Sequence, residues 1–171
     1  MIIANAARIP GAETPPPGGD GMLVVATRFG DITVDPALAL EMPRGLLGFA
    51  DHRQFALAEL PDRRFAQFKL LLSLSDPEVS FLLLPVDPAA GILAPEDCDA
   101  ACKALNIPPA DVAILVIVTI RRIAAEARVS VNLRAPILID VAARRGWQFV
   151  IPNGNYPIRQ ELPLIGVQAT R

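Results

Sequence analysis

The hydrophobic positions of the chain fall mostly into short runs with strand character, divided by glycine, proline and aspartate. Residues 22–28 and 32–34 flank Phe29-Gly30-Asp31, whose glycine suits a hairpin turn. Residues 55–60 alternate and close on Pro61-Asp62. Residues 65–74 and 79–86 lie either side of Ser75-Asp76-Pro77-Glu78, where Asp and Pro favour a tight connection, so these two are expected to pair. Residues 112–120 are apolar at nearly every position and rich in β-branched side chains. That run is short for a helix and too unbroken for a half-exposed strand; it reads as a central strand buried on both faces. Residues 129–133, 136–142 and 147–151 continue the pattern, with Arg144-Arg145-Gly146 turning the last pair, whereas 121–128 has a helical look and is basic.

One helix stands apart. Pro95 suits a first helical position, where a missing N–H costs nothing, and Glu96 and Asp97 set negative charge against the positive end of the helix dipole. Asn106 and Pro108 mark its stop. Cys98, Cys102 and Leu105 then fall at i, i+4 and i+7, on one face. Many short strands with a single good helix predict a mainly β fold, a compact antiparallel barrel or roll with one or two short helices. Residues 1–21, crowded with proline and glycine, are expected to be a flexible extension. The β domain is expected over 22–163, with a tail at 164–171.

Composition agrees with one domain. The chain has 171 residues, 52% of them hydrophobic and 20% charged, and its mean hydropathy is +0.39. That is enough apolar material for a core and too much for disorder. The net charge of −2 and a pI near 5.4 argue against a nucleic-acid surface, which needs a concentrated basic stripe. The longest strongly apolar run, 112–120, falls well short of the ~20 residues a membrane helix takes. No basic segment followed by an apolar core opens the chain, so the expected compartment is the cytosol.

The search for chemistry is mostly negative. Cys98 and Cys102 are the only cysteines and His52 the only histidine, too few for a four-ligand zinc site; buried, inert thiols are the better account. None of the four serines (Ser73, Ser75, Ser80, Ser130) sits in a nucleophile elbow, and His52 reads as an exposed loop residue. Asp97 and Asp99, two apart on a helix, point away from each other rather than converging on a substrate. Gly45-Leu46-Leu47-Gly48 lacks the lysine of a phosphate loop. Trp147 and Tyr156 read as packing residues, because no basic groove accompanies them. No catalytic residue, metal or cofactor is therefore assigned. One charge feature remains: Asp87, Glu96, Asp97, Asp99 and Asp111 face a single base, Lys103, over residues 87–111. Such a segment is either a solvated face or a docking surface for a basic partner. A small β-barrel binding a flavin or another small ligand is the alternative from a different class.

Taken in order, the motifs resemble those of the flagellar assembly factor family FliW. Thr27-Arg28-Phe29-Gly30-Asp31-Ile32 lies where the family has its first hairpin. Met42-Pro43-Arg44-Gly45-Leu46-Leu47-Gly48-Phe49 is similar to its "P-x-G-L-x-G-F" loop, and Ser73-Leu74-Ser75-Asp76-Pro77-Glu78-Val79-Ser80-Phe81 to its "S-L-x-D-P-x-x-x-F" segment. Asn132-Leu133-Arg134-Ala135-Pro136 and Tyr156-Pro157-Ile158-Arg159 complete a resemblance over residues 22–163. It implies a cytoplasmic, non-enzymatic protein that binds newly made flagellin and, in exchange for it, the RNA-binding translational repressor CsrA. On this expectation the acidic residues of 87–111 face basic CsrA. Leu46, Leu47 and Phe49 present an apolar surface to an amphipathic flagellin helix.

Overall fold

The computed structural model describes residues 21–123 and 126–163; the expected tail, and all but the last residue of the expected extension, lie outside them. A first hairpin pairs β1 (Leu23–Thr27) with β2 (Gly30–Val34). Then follow β3 (Leu40–Glu41), β4 (Gln54–Glu59), β5 (Lys69–Ser73) and β6 (Ser80–Val86). The helix α1 (Pro95–Leu105) leads to β7 (Val112–Ile123), β8 (Glu126–Val131), β9 (Ile137–Asp140), β10 (Arg145–Gln148) and β11 (Gln160–Leu162).

The sheet closes on itself because β7 serves three neighbours along its length. Its first residues pair with β9 (Val112↔Asp140 to Leu115↔Ile137), its middle with β6 (Ile114↔Val86 to Ile117↔Leu83) and its last with β8 (Val118↔Val131 to Ile123↔Glu126). The ring therefore runs β7-β6-β5-β4-β3-β10-β9 and back to β7, with β8 and β11 continuing the sheet outward. The pairing of β5 with β6 is the expected hairpin. One junction departs from the antiparallel expectation: β3 and β10 meet in parallel at Glu41↔Arg145. Arg145 Nε donates to Glu41 Oε2 at 2.8 Å across it, and Glu41 N–H donates to the Arg144 carbonyl at 2.9 Å.

The unbroken hydrophobic run of β7 is explained by this closure. Alternate side chains of a strand point to opposite faces, and both faces are buried. Ala113 and Leu115, with Ile117 packed against them, join Phe55, Leu57, Leu71, Leu83, Ile137 and Ile139 in the barrel interior. Ile114, Val116 and Val118 join an outer cluster with Leu70, Leu72 and Leu138, covered by Val25, Ile32 and Val34 of the first hairpin and by α1. Beyond Val118 the strand leaves the barrel, and Thr119, Ile120, Arg121 and Arg122 are exposed. Of the segment expected to be helical, residues 121–123 belong to β7 and 126–128 to β8, paired from Arg121↔Arg128 to Ile123↔Glu126. Its helical look came from charge and alanine, and cross-strand pairing to β8 overrides that propensity.

Helix α1 begins with Pro95 and ends at Asn106, whose left-handed φ of 55° lets the Ile107 N–H return to the Cys102 carbonyl at 2.9 Å. Its buried face is Cys98, Ala101 and Cys102, with Leu105 half-buried beside them. Arg145 and Gly146 prove to be strand residues, and the turn before them is 141–144, closed by Arg144 at φ 52°. No helix of the described residues is long and apolar enough to cross a membrane.

Candidate protein-binding site

The loop from β3 to β4 is built to hold two apolar side chains outward. Met42, fully buried, fixes its start, and the Met42 N–H donates to the Arg53 carbonyl at 2.7 Å to close its base. The Gly45 N–H returns to the Met42 carbonyl at 2.9 Å, the Phe49 N–H to Leu46 at 2.8 Å and the His52 N–H to Phe49 at 3.2 Å. From the far side, Gln148 Oε1 of β10 accepts the Leu47 N–H at 2.9 Å. Gly45 must be glycine. Its φ is +62°, and a Cβ there would lie 2.3 Å from the Phe49 carbonyl oxygen and 2.7 Å from the Ala50 Cα.

Leu46, expected to be part of the apolar surface, is instead the loop's anchor. It is 2% exposed in the barrel cluster, because the tight turn at Gly45 aims it inward. Leu47, 62% exposed, and Phe49, 37% exposed, remain outside. Phe49 is braced edge-on by Phe81 at 5.1 Å and by the His52 ring at 5.9 Å. The result is a rigid apolar knob, with its entropy of ordering already spent in folding.

His52 is not the exposed loop residue expected from its polar neighbours. Its Nδ1 lies 2.9 Å from Ser73 Oγ and 3.3 Å from Ser75 Oγ. Ser73 is the one buried polar side chain among the described residues, and its Oγ also accepts the N–H groups of Ser75 and Asp76 at 3.3 Å each. This clasp ties the apolar loop to the turn after β5. Among the described residues no carboxylate hydrogen-bonds the ring, so the pair is not extended into a Ser–His–Asp relay.

The acidic residues divide by role. Asp87 caps a short 3-10 turn, accepting the Ala89 N–H at 2.8 Å. Asp111 is half-buried at the end of another, where its carbonyl accepts the Val141 N–H at 2.9 Å. Glu96 and Asp99 are exposed and three apart on α1, so they share one edge of the helix. Asp97 is half-buried and engaged: Tyr156 Oη donates to its Oδ2 at 2.7 Å and Asn153 Nδ2 donates at 3.2 Å. The solvated face expected at Asp97 and Asp99 is therefore solvated at Asp99 only. Sequence reasoning missed Tyr156, because its partner lies 59 positions away.

Cys98 and Cys102 are buried and free. Burial pushes both thiols upward, with the Cys102 sulfur and the nearby acids adding to the effect on Cys98. The lumen that a flavin or other small ligand would occupy in a barrel is filled by Phe55, Leu71, Leu83, Leu115, Ile137 and Ile139, each at most 1% exposed.

Comparison with known proteins gives a consistent likeness. The family described as "FliW protein" matches residues 24–162. A "Flagellar assembly factor FliW" of Syntrophus aciditrophicus is 32% identical over 142 residues, covering 82% of this chain and 87% of that protein. One from Moorella thermoacetica is 31% identical over 148 residues, covering 82% and 88%. A solved structure, described as the crystal structure of the flagellar assembly factor FliW, superposes with a TM-score of 0.62 at 28% identity. It covers 82% of this chain and 96% of that one.

Proposed function

The chain belongs to the FliW family, and from that premise we propose that it is a non-enzymatic, cytoplasmic flagellar assembly factor that binds two proteins in exchange, flagellin and a CsrA-like translational regulator. Free chain sequesters the regulator and so relieves repression of flagellin synthesis; accumulating flagellin occupies the chain and releases the regulator. By linkage, whatever one partner does to the affinity of the other is returned in equal measure.

The observation that carries this reading is the apolar knob. Leu47 and Phe49 stand out from a loop pinned at both ends, exposed apolar side chains of the kind that mark a protein contact and against which the apolar stripe of an amphipathic helix packs. Completing the burial of Leu47 is worth about 1–2 kcal/mol, the exposed share of the ~1.5–3 kcal/mol for a whole leucine. The acidic edge of α1, Glu96 and Asp99, suits the basic regulator; charges there set encounter rate and orientation and lose effect as salt rises.

Two variants separate the surfaces. Leu47→Asp is expected to weaken flagellin binding at least tenfold and to leave the regulator bound. The double variant Glu96→Lys, Asp99→Lys is expected to do the reverse, with a defect that shrinks at high salt. Variants that lose both partners alike, or neither, overturn the assignment of separate surfaces.

A further inference from the structure

Helix α1 lacks an ordinary N-terminal cap. Its N-cap residue is Ala94, which has no side-chain acceptor, and Asp97 is the third helical residue. In a capping box the side chain at that third position reaches back to the N-cap N–H directly. Here the Tyr156 hydroxyl stands between them. It accepts the Ala94 N–H at 2.9 Å and donates to Asp97 Oδ2 at 2.7 Å, while Asn153 Nδ2 donates to the same oxygen at 3.2 Å.

The loop carrying Tyr156 is held equally well from its other side. Arg134 Nε donates to the Tyr156 carbonyl and Arg134 Nη2 to that of Gly154, both at 3.0 Å, and the Leu133 N–H donates to Pro157 at 3.1 Å. The segment after β8, the 153–157 loop and the start of α1 are thereby joined in series. The proton of Tyr156 is held more tightly than in a free phenol, first because of its hydrogen bond to Asp97.

We infer that Tyr156 and Asp97 form a latch binding α1 to the 153–157 loop, so that Asp97 is a positioning residue for the acidic edge and not one of its contact charges. The contact charges are Glu96 and Asp99, and the latch fixes the angle at which they are offered. The inference rests on the proposed binding of a basic regulator only for its binding consequence; the latch itself is read from the chain alone.

The test uses the full chain with Tyr156→Phe, Asp97→Ala and Asp97→Asn, and Asp99→Asn as the reference for loss of a contact charge. Asparagine keeps a side-chain oxygen for the tyrosine proton but carries no charge. In hydrogen exchange, Tyr156→Phe and Asp97→Ala should lower protection of the Ala94, Asp97 and Cys98 amides by about tenfold to a hundredfold, the equivalent of a hydrogen bond to a charged group, whereas Asp97→Asn should keep most of it. Affinity for the CsrA-like protein should fall severalfold in Tyr156→Phe with an unchanged salt slope, and by no more than about twofold in Asp97→Asn. Unaltered amide protection in Tyr156→Phe overturns the latch. An Asp97→Asn variant that loses affinity and salt slope as far as Asp99→Asn makes Asp97 a contact charge and overturns the assignment. If the unsubstituted chain binds no regulator, the proposed function fails by itself, and hydrogen exchange still decides the latch.

Discussion

Replacing Gly45 by alanine tests how the apolar knob is held. Two effects act at this position. The left-handed φ of +62° costs an L-residue roughly 1–2 kcal/mol. The added Cβ then meets backbone, the Phe49 carbonyl oxygen at 2.3 Å and the Ala50 Cα at 2.7 Å, so no side-chain rotation relieves it. The loop must open instead. Opening loosens Leu46, whose burial is worth ~1.5–3 kcal/mol, and the turn hydrogen bonds from Gly45 to Met42 and from Phe49 to Leu46, each worth about 0.5–1.5 kcal/mol. Partial opening forfeits only part of these, so the expected destabilisation is about 2–4 kcal/mol. At ~2–4 °C per kcal/mol for a chain of this size, Tm falls by roughly 4–16 °C. Gly48→Ala is the control. Its φ is +84°, yet nothing lies within 4 Å of the added Cβ, so only the conformational cost of roughly 1–2 kcal/mol applies. Paired denaturant titrations measure both. Equal destabilisation by the two substitutions, or a loss below about 1 kcal/mol for Gly45→Ala, refutes the argument that close backbone approach fixes the loop.

Other expectations follow from the same structure. Leu115→Ala empties a fully buried position in the barrel interior and should cost ~2.7–5 kcal/mol in urea unfolding; a loss under 1 kcal/mol would mean the barrel collapses onto the cavity. Cys98 and Cys102 should react with a thiol reagent far more slowly in the folded chain than in urea at pH 8, since burial raises both above the ordinary 9.0; equal rates contradict their placement. The folded state holds these protons, and that of Tyr156 above its ordinary 10.0, more tightly than the unfolded state does. Their contribution to stability is thus complete below about pH 9 and lost as pH rises through the folded values, so the urea midpoint should decline above pH 9. Tyr156→Phe should flatten the part of that decline lying above pH 10.

Much of the fold was legible because strand length and turn chemistry are local properties. The run from Val112 to Ile120 declared burial on both faces through eight apolar positions in nine, and a barrel wall covered by α1 and the first hairpin supplies both faces as far as Val118. Pro95 and Asn106 bounded α1 for the same local reasons. What could not be read was set by distant partners. Leu46 and Leu47 are identical in composition and adjacent, and only the turn at Gly45 decides that one is buried and the other exposed. Asp97 looked like a surface charge until Tyr156 was brought against it. Arg121 to Arg128 looked helical because propensity knows nothing of β8 as a partner.

The central claim is exchange between two protein partners, and one titration tests it directly. The full chain is first saturated with the CsrA-like protein of its own organism, and flagellin is then added while free regulator is measured. Exchange predicts that regulator is released in proportion to flagellin bound, and that excess regulator reverses the release. Failure of the chain to bind either protein at micromolar concentration, or binding of both together with neither affinity changed, contradicts the account.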